Sequence, residues 1–159
     1  MKFKLILVLL LFGVLGYVRE FFFVQMNVIL YQKYYNSVNE EFPVAKIMQI
    51  FNNFTYETLY YSKYIFTLIS VGLFYILSFY SFKYINLLKN IKYLNYCYLL
   101  LLTLASLSML YGYFINNRLQ DSEYTLSRWL LGIAQSPIVF IILFAANKLN
   151  NTLTKTNEL

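Results

Sequence analysis

The sequence predicts an all-α membrane protein: a four-transmembrane-helix bundle with a short amphipathic helix in its first outer loop. Two observations carry that class. Four stretches, residues 5–18, 64–82, 93–117 and 129–147, hold no charged side chain, and about 20 apolar residues at roughly 1.5 Å each cross the hydrocarbon core. The chain is also 60% hydrophobic and only 13% charged, where a soluble domain carries about 25% charged residues. A core this apolar would lack the polar surface to cover it in water. The 159 residues read as a single membrane domain, with spans over about 5–24, 64–82, 93–117 and 129–147 and an outer loop over about 25–63.

The first stretch is the shortest. Its 14 uncharged residues reach only about 21 Å, so the helix is expected to run on through Arg19 and Glu20 into Phe21-Phe22-Phe23, leaving both charges near the outer headgroups. Lys2 and Lys4 ahead of a Leu-rich run also describe a secretory signal. Leu15 and Tyr17 are too bulky for a cleavage site, so the run is read as an uncleaved anchor.

The outer loop has internal order. Phe21 to Tyr35 stays apolar and aromatic around Gln25, Asn27 and Gln32, which suits a segment lying at the membrane interface. Asn36, Ser37, Asn39, Glu40, Glu41 and Pro43 mark an exposed turn. Beyond it, Ile47, Ile50, Phe51 and Phe54 share one α-helical face, with Lys46, Gln49, Asn52 and Asn53 on the other. A short helix of this pattern suits the headgroup layer or a cap over the spans. Tyr56, Tyr60, Tyr61 and Tyr64 gather where the second span begins, the level at which tyrosine rings find both media.

In the last two spans small residues recur four apart: Ser108 with Gly112, and Gly132 with Ser136. Such pairs let backbones approach closely, which predicts tight contact between these helices. Arg128, Gly132 and Gln135 fall on one face of the fourth span. Pro137 predicts a kink there, because its ring nitrogen cannot bond the carbonyl of Ile133. Gln135 and Ser136 are placed to serve that defect.

Charge sorting sets the orientation. Lys2, Lys4, Lys83, Lys89, Lys92, Lys148 and Lys155 fall in the terminal and second linking segments, with Glu158 the only acid there. The other two linking segments hold Arg19, Lys33, Lys46, Lys63, Arg118 and Arg128 against six acids. Lys and Arg collect on the cytoplasmic side, and several of the six lie at span ends or deep in a long loop, where orientation is less sensitive. Both termini are therefore expected inside.

Composition also excludes function classes. There is no histidine, so no imidazole base and no His-based metal site; no metal and no cofactor is expected. Cys97 is the only cysteine and sits inside an uncharged stretch, where a thiol is inert filler. The net charge of +6 is dispersed at helix ends rather than drawn into the stripe that nucleic acid requires. Asp121 and Glu123 lie in a short outer turn flanked by Arg118 and Arg128, without the desolvated cleft that acid–base work demands. The four uncharged stretches contain no Asp, Glu, Lys, Arg or His, which disfavours an active transporter. Arg19 and Glu20 are adjacent, so on a helix they are expected to seek separate partners, with Arg128 or Arg118 the natural one for Glu20.

The run Gly16-Tyr17-Val18-Arg19-Glu20-Phe21-Phe22-Phe23, the segment Thr58-Leu59-Tyr60-Tyr61-Ser62-Lys63-Tyr64, and Arg128 with Gln135-Ser136-Pro137 resemble the exosortase F system-associated proteins. These are small multi-pass proteins of the bacterial inner membrane, named for lying beside an exosortase, an integral-membrane transpeptidase. The similarity runs over most of the chain through short motifs of common membrane residues. It implies no catalytic role, and it implies a partner: the exosortase or its cargo. The chain is not itself the transpeptidase, since that family works with Cys, Arg and His. The expected function is thus a non-catalytic accessory protein that binds or stabilises a membrane partner amid membrane lipids, with Arg19, Glu20, Arg128, Gln135 and Ser136 as the candidate polar contacts. The alternative is a small oligomeric channel or transporter subunit, its pore lined by Thr103, Gln135 and Ser136. A lipid-active enzyme using Glu20 or Glu57 is a third reading.

Overall fold

A segment facing lipid has no water to satisfy its peptide groups, so its hydrogen bonds must close within the segment. The computed structural model describes residues 2–35, 43–116 and 125–156, and every element among them is a helix. In chain order these are α1 (Lys2–Tyr35), a short 310 helix (Lys46–Asn53), α2 (Tyr56–Tyr84), α3 (Lys89–Asn116), α4 (Thr125–Ala134) and α5 (Ile138–Thr156). Three segments, Phe3–Tyr35, Tyr56–Tyr84 and Lys89–Gly112, are long and apolar enough to cross a membrane, and α4 with α5 adds a fourth if the bent pair is one span. The chain leaves much of their apolar surface uncovered: Leu10, Val14, Leu68, Leu99 and Ile142 are all exposed. Apolar surface that extensive is foreign to a soluble monomer and ordinary against lipid.

Local sequence explains the helix ends. Residues 17–35 contain neither Gly nor Pro, and α1 runs on to Tyr35 as one helix of 34 residues, roughly 51 Å. The segment Phe21 to Tyr35, expected at the membrane interface, is the continuation of this helix. Thr55 starts α2 ahead of the expected boundary at 64: its Oγ1 accepts from the Thr58 amide at 3.4 Å, and Glu57 sits in the positive first turn. At the other end, Asn86 takes the left-handed conformation, φ 63°. The Leu87 amide then donates to the Phe82 carbonyl at 2.9 Å and the Asn86 amide to the Lys83 carbonyl at 3.2 Å. Together these close the helix as a Schellman turn.

Two compact units divide the chain, Met1–Phe12 with Val71–Leu159, and Gly13–Ser70. The first is built around phenylalanines. Phe12 meets Phe74 at 6.1 Å and Phe140 at 5.1 Å, and Phe82 meets Phe140 at 4.7 Å; all four are fully buried. In this unit α3 packs against both α4 and α5, and buried Asn90 at the start of α3 donates to the Leu143 carbonyl of α5 at 3.2 Å. In the second unit Met26, Ile29 and Leu30 of α1, Met48 of the 310 helix and Leu59 of α2 form the core, with Phe22, Phe51 and Phe66 against it.

Two sequence expectations are corrected here. The residues after Pro43 wind three to the turn rather than 3.6, so positions three apart eclipse. Met48 is buried and Phe51 half-buried, whereas Ile47 and Ile50, expected on the same face as Phe51, point away at 76% and 69% exposed. The apolar residues thus split between two faces. The second correction concerns Gly132, expected at a close helix contact: a Cβ added there would meet no atom within 4 Å. The face that α4 buries carries Ser127 and Ala134, with Gln135 following the helix end.

Candidate functional site

The fourth hydrophobic stretch is broken at Gln135-Ser136-Pro137, where α4 and α5 meet at 63°. Pro137 cannot donate to the Ile133 carbonyl, and two groups of Ser136 take its place. The Ser136 hydroxyl donates to that carbonyl at 2.7 Å, and the Ser136 amide reaches it at 3.2 Å. The same hydroxyl accepts from the Ile138 amide at 3.3 Å, with Pro137 immediately before α5. One side chain therefore caps the end of α4 and the beginning of α5, using a hydroxyl's ability to donate and accept at once. The kink and its repair follow from the residues that predicted them.

The expected face of Arg128, Gly132 and Gln135 does not form a single site. Gln135 is buried while Arg128 is exposed; Gln135 directly follows α4, its amide still bonded to the Leu131 carbonyl at 2.9 Å. Arg19 and Glu20 are also corrected. They were expected to need separate partners, yet Arg19 Nη1 lies 3.0 Å from Glu20 Oε2. The guanidinium stem is long enough to bend sideways across the helix surface. It also lies over the Phe23 ring, 5.3 Å from the centroid, so Arg19 pairs with its neighbour and covers a ring one turn on. Both carboxylate and guanidinium are partly solvated, which keeps this pair weak in stability terms.

Polar residues passed over in sequence reading organise the second unit. Gln25 Oε1 accepts from the Ala45 amide at 2.8 Å, fixing the chain just ahead of the 310 helix. Lys33 Nζ donates to the Asn52 carbonyl at 2.8 Å near that helix's end, where a cation suits the negative terminus. Lys63 Nζ donates to Asn27 Oδ1 at 2.7 Å, joining α2 to α1. A polar side chain inside an apolar helix has to find a partner, and that rule was the available signal. In the first unit it also accounts for Tyr75, whose hydroxyl donates to Asn95 Oδ1 at 2.9 Å between α2 and α3.

The second unit also exposes aromatic and aliphatic side chains. Tyr31 and Tyr34 lie 4.6 and 4.9 Å from Tyr35, Tyr34 lies 5.7 Å from Tyr56, and Tyr60 continues the run to Tyr64 at 5.9 Å. Tyr56 and Tyr60 stack at 6.1 Å to close the series. These rings are exposed, as are Ile47, Ile50 and Phe54.

Other candidates resolve simply. Cys97 is a free thiol, half-buried rather than enclosed. The Thr103 hydroxyl donates to the Leu100 carbonyl of its own helix at 3.0 Å. Among the described residues no group of three or more Cys, Asp or Glu is placed to hold a metal ion. Asp121, Glu123 and Arg118, and the turn with Asn39, Glu40 and Glu41, lie outside the described residues. No protein family, curated protein or solved structure matches the chain.

Proposed function

We propose that this chain is a non-catalytic accessory protein of the bacterial inner membrane that binds or stabilises an exosortase-type transpeptidase or its cargo. It crosses the bilayer four times, as a four-helix bundle with both termini inside. Charge sorting supports the fourth crossing: if α4 and α5 formed a re-entrant loop, Lys148 and Lys155 would face outward, away from the other lysine-rich segments. The distance from Lys63 to Lys83 supports the depth, since 20 residues of α2 separate them, roughly the 30 Å of the hydrocarbon core. Lys63, and Asn27 bonded to it, then mark the outer headgroup level. The 310 helix lies near that level, an amphipathic cap with Lys46 and Gln49 toward water and Ile47 and Ile50 toward a partner or lipid.

One observation carries the binding reading: the tethered 310 helix exposes aliphatic side chains, and the parts of α1 and α2 in the same unit expose tyrosines. Met48 and Phe51 anchor the 310 helix in the core beneath, and Gln25 and Lys33 fasten both its ends. Tyrosine is enriched in protein interfaces, where a rigid ring offers area at low entropic cost. The resemblance of Gly16–Phe23, of Thr58–Tyr64 and of the Arg128 to Pro137 segment suggests the class of partner.

The test is a photoreactive amino acid at Ile50, irradiated in native membranes, followed by identification of the captured species. The expected product is a membrane transpeptidase or its exported substrate, lost when Tyr34 and Tyr60 are both changed to Ser. Capture of only further copies of this chain would contradict the proposal and favour an oligomeric pore.

A further inference from the structure

Between the first turns of α1 and the last turns of α2 runs an open groove of about 480 Å³, walled by Leu7, Val8, Leu11, Leu77 and Tyr80 and ending at Lys83 and Tyr84. All of these residues belong to the first compact unit. The volume falls within the roughly 300–1,000 Å³ of small-molecule sites, but the composition is divided by position. Its length is aliphatic, and its charge is confined to one end. There, Lys4 Nζ donates to the Tyr84 carbonyl at 3.3 Å and lies 4.6 Å from the centre of the Tyr84 ring. That contact seats the Lys4 ammonium against Tyr84, the residue next to Lys83 in α2, and uses one of its three donors. Lys83 is exposed and makes no ion pair among the described residues. Lys83 at the end of the groove and Lys4 on the neighbouring Tyr84 thus bring two cations to the mouth of an apolar channel, and neither makes an ion pair among the described residues.

The geometry points to a binding site for one anionic phospholipid, with an acyl chain in the groove and the phosphate held by Lys4 and Lys83. Charge complementarity selects this occupant. A neutral helix would fill the groove without answering the lysines, and a free anion would answer the lysines without filling the groove. The spacing agrees: Leu11 lies seven residues from Lys4 along α1, roughly 10 Å, so the apolar part descends from the headgroup level in the direction an acyl chain takes. Tyr80 and Tyr84 suit the same boundary, where tyrosine rings tolerate both media. This site rests on the chain being embedded in a bilayer and is independent of the protein partner proposed above.

The test uses the full-length protein, delipidated in detergent and titrated with phosphatidylglycerol, with phosphatidylcholine of the same acyl chains, and with inorganic phosphate, each read by native mass spectrometry. Phosphatidylglycerol is expected to stay bound as a single copy, while phosphatidylcholine and phosphate are not retained. Lys4→Gln and Lys83→Gln are each expected to weaken binding roughly five-fold, and Lys92→Gln to leave it unchanged. Leu7→Trp, which fills the groove and spares both lysines, is expected to abolish retention while circular dichroism shows unchanged helix content. Equal retention of the two lipids would overturn the site. So would phosphate binding as well as phosphatidylglycerol, loss on Lys92→Gln equal to that on Lys83→Gln, or unchanged retention in Leu7→Trp. A photoreactive group at Leu7 that captures a second copy of the chain in place of lipid would assign the groove to self-association and overturn it too.

Discussion

Ser136 does the work of two capping residues with one hydroxyl. It donates to the Ile133 carbonyl and accepts from the Ile138 amide, both peptide groups left over by Pro137 and the break it imposes. In lipid neither would find water, so the hydroxyl matters more there than the same cap would on a soluble surface. Ser136→Ala is expected to lower stability by about 1 kcal/mol, and Ser136→Thr, which keeps the hydroxyl, by less. Thermal unfolding in detergent checks this; equal losses in the two variants would show that shape, not hydrogen bonding, matters at 136. Ser136 was legible in the sequence because a proline four residues past a carbonyl names the group left without a donor. Gln25, Asn27 and Lys33 were not, since their partners are the Ala45 amide, Lys63 and the Asn52 carbonyl, which lie 20, 36 and 19 residues away. Sequence shows that such a residue needs a partner but not which one. Arg19 failed for a different reason: helical spacing speaks of Cβ directions, and a guanidinium on a long stem reaches beyond them to the adjacent Glu20.

The helices show where pattern is informative and where it is ambiguous. Their existence followed from long uncharged runs, which only helices and closed barrels can carry through lipid. Their ends did not, because charge marks where a span meets water and not where a helix stops. α1 continues 15 residues past Glu20 to Tyr35, and α2 begins at Tyr56, seven residues before Lys63. The segment after Pro43 failed on its period. Ile47, Ile50, Phe51 and Phe54 coincide at 3.6 residues per turn and separate at 3.0, and eight residues are too few for the pattern to reveal which winding applies. The α4–α5 break belongs to this scale as well. Pro137→Ala restores the donor for Ile133, and the 63° bend is expected to open toward a continuous helix. Spin labels at Leu126 and Leu149, both exposed, report it as a longer electron–electron distance. An unchanged distance would mean that packing of α3 against both segments holds the bend without the proline.

For the molecule as a whole, the arrangement divides labour between two compact units. One gathers Phe12, Phe74, Phe82 and Phe140 into a buried aromatic core and joins α3 to α5 through Asn90. The other fastens a short helix to α1 and α2 and carries exposed tyrosines. The layout requires α4 and α5 to be one bent crossing, because the placement of the termini, the lysine-rich side and the proposed docking surface all depend on it. Cysteine accessibility decides the matter in a Cys97→Ser background, using single variants Gln49→Cys, Lys89→Cys and Lys148→Cys and a membrane-impermeant maleimide applied to intact spheroplasts. Labelling at 49 alone, with 89 and 148 modified only after permeabilisation, is the predicted result. Labelling at 148 from outside would make α4 and α5 a re-entrant loop, leave three crossings, and place the two termini on opposite sides.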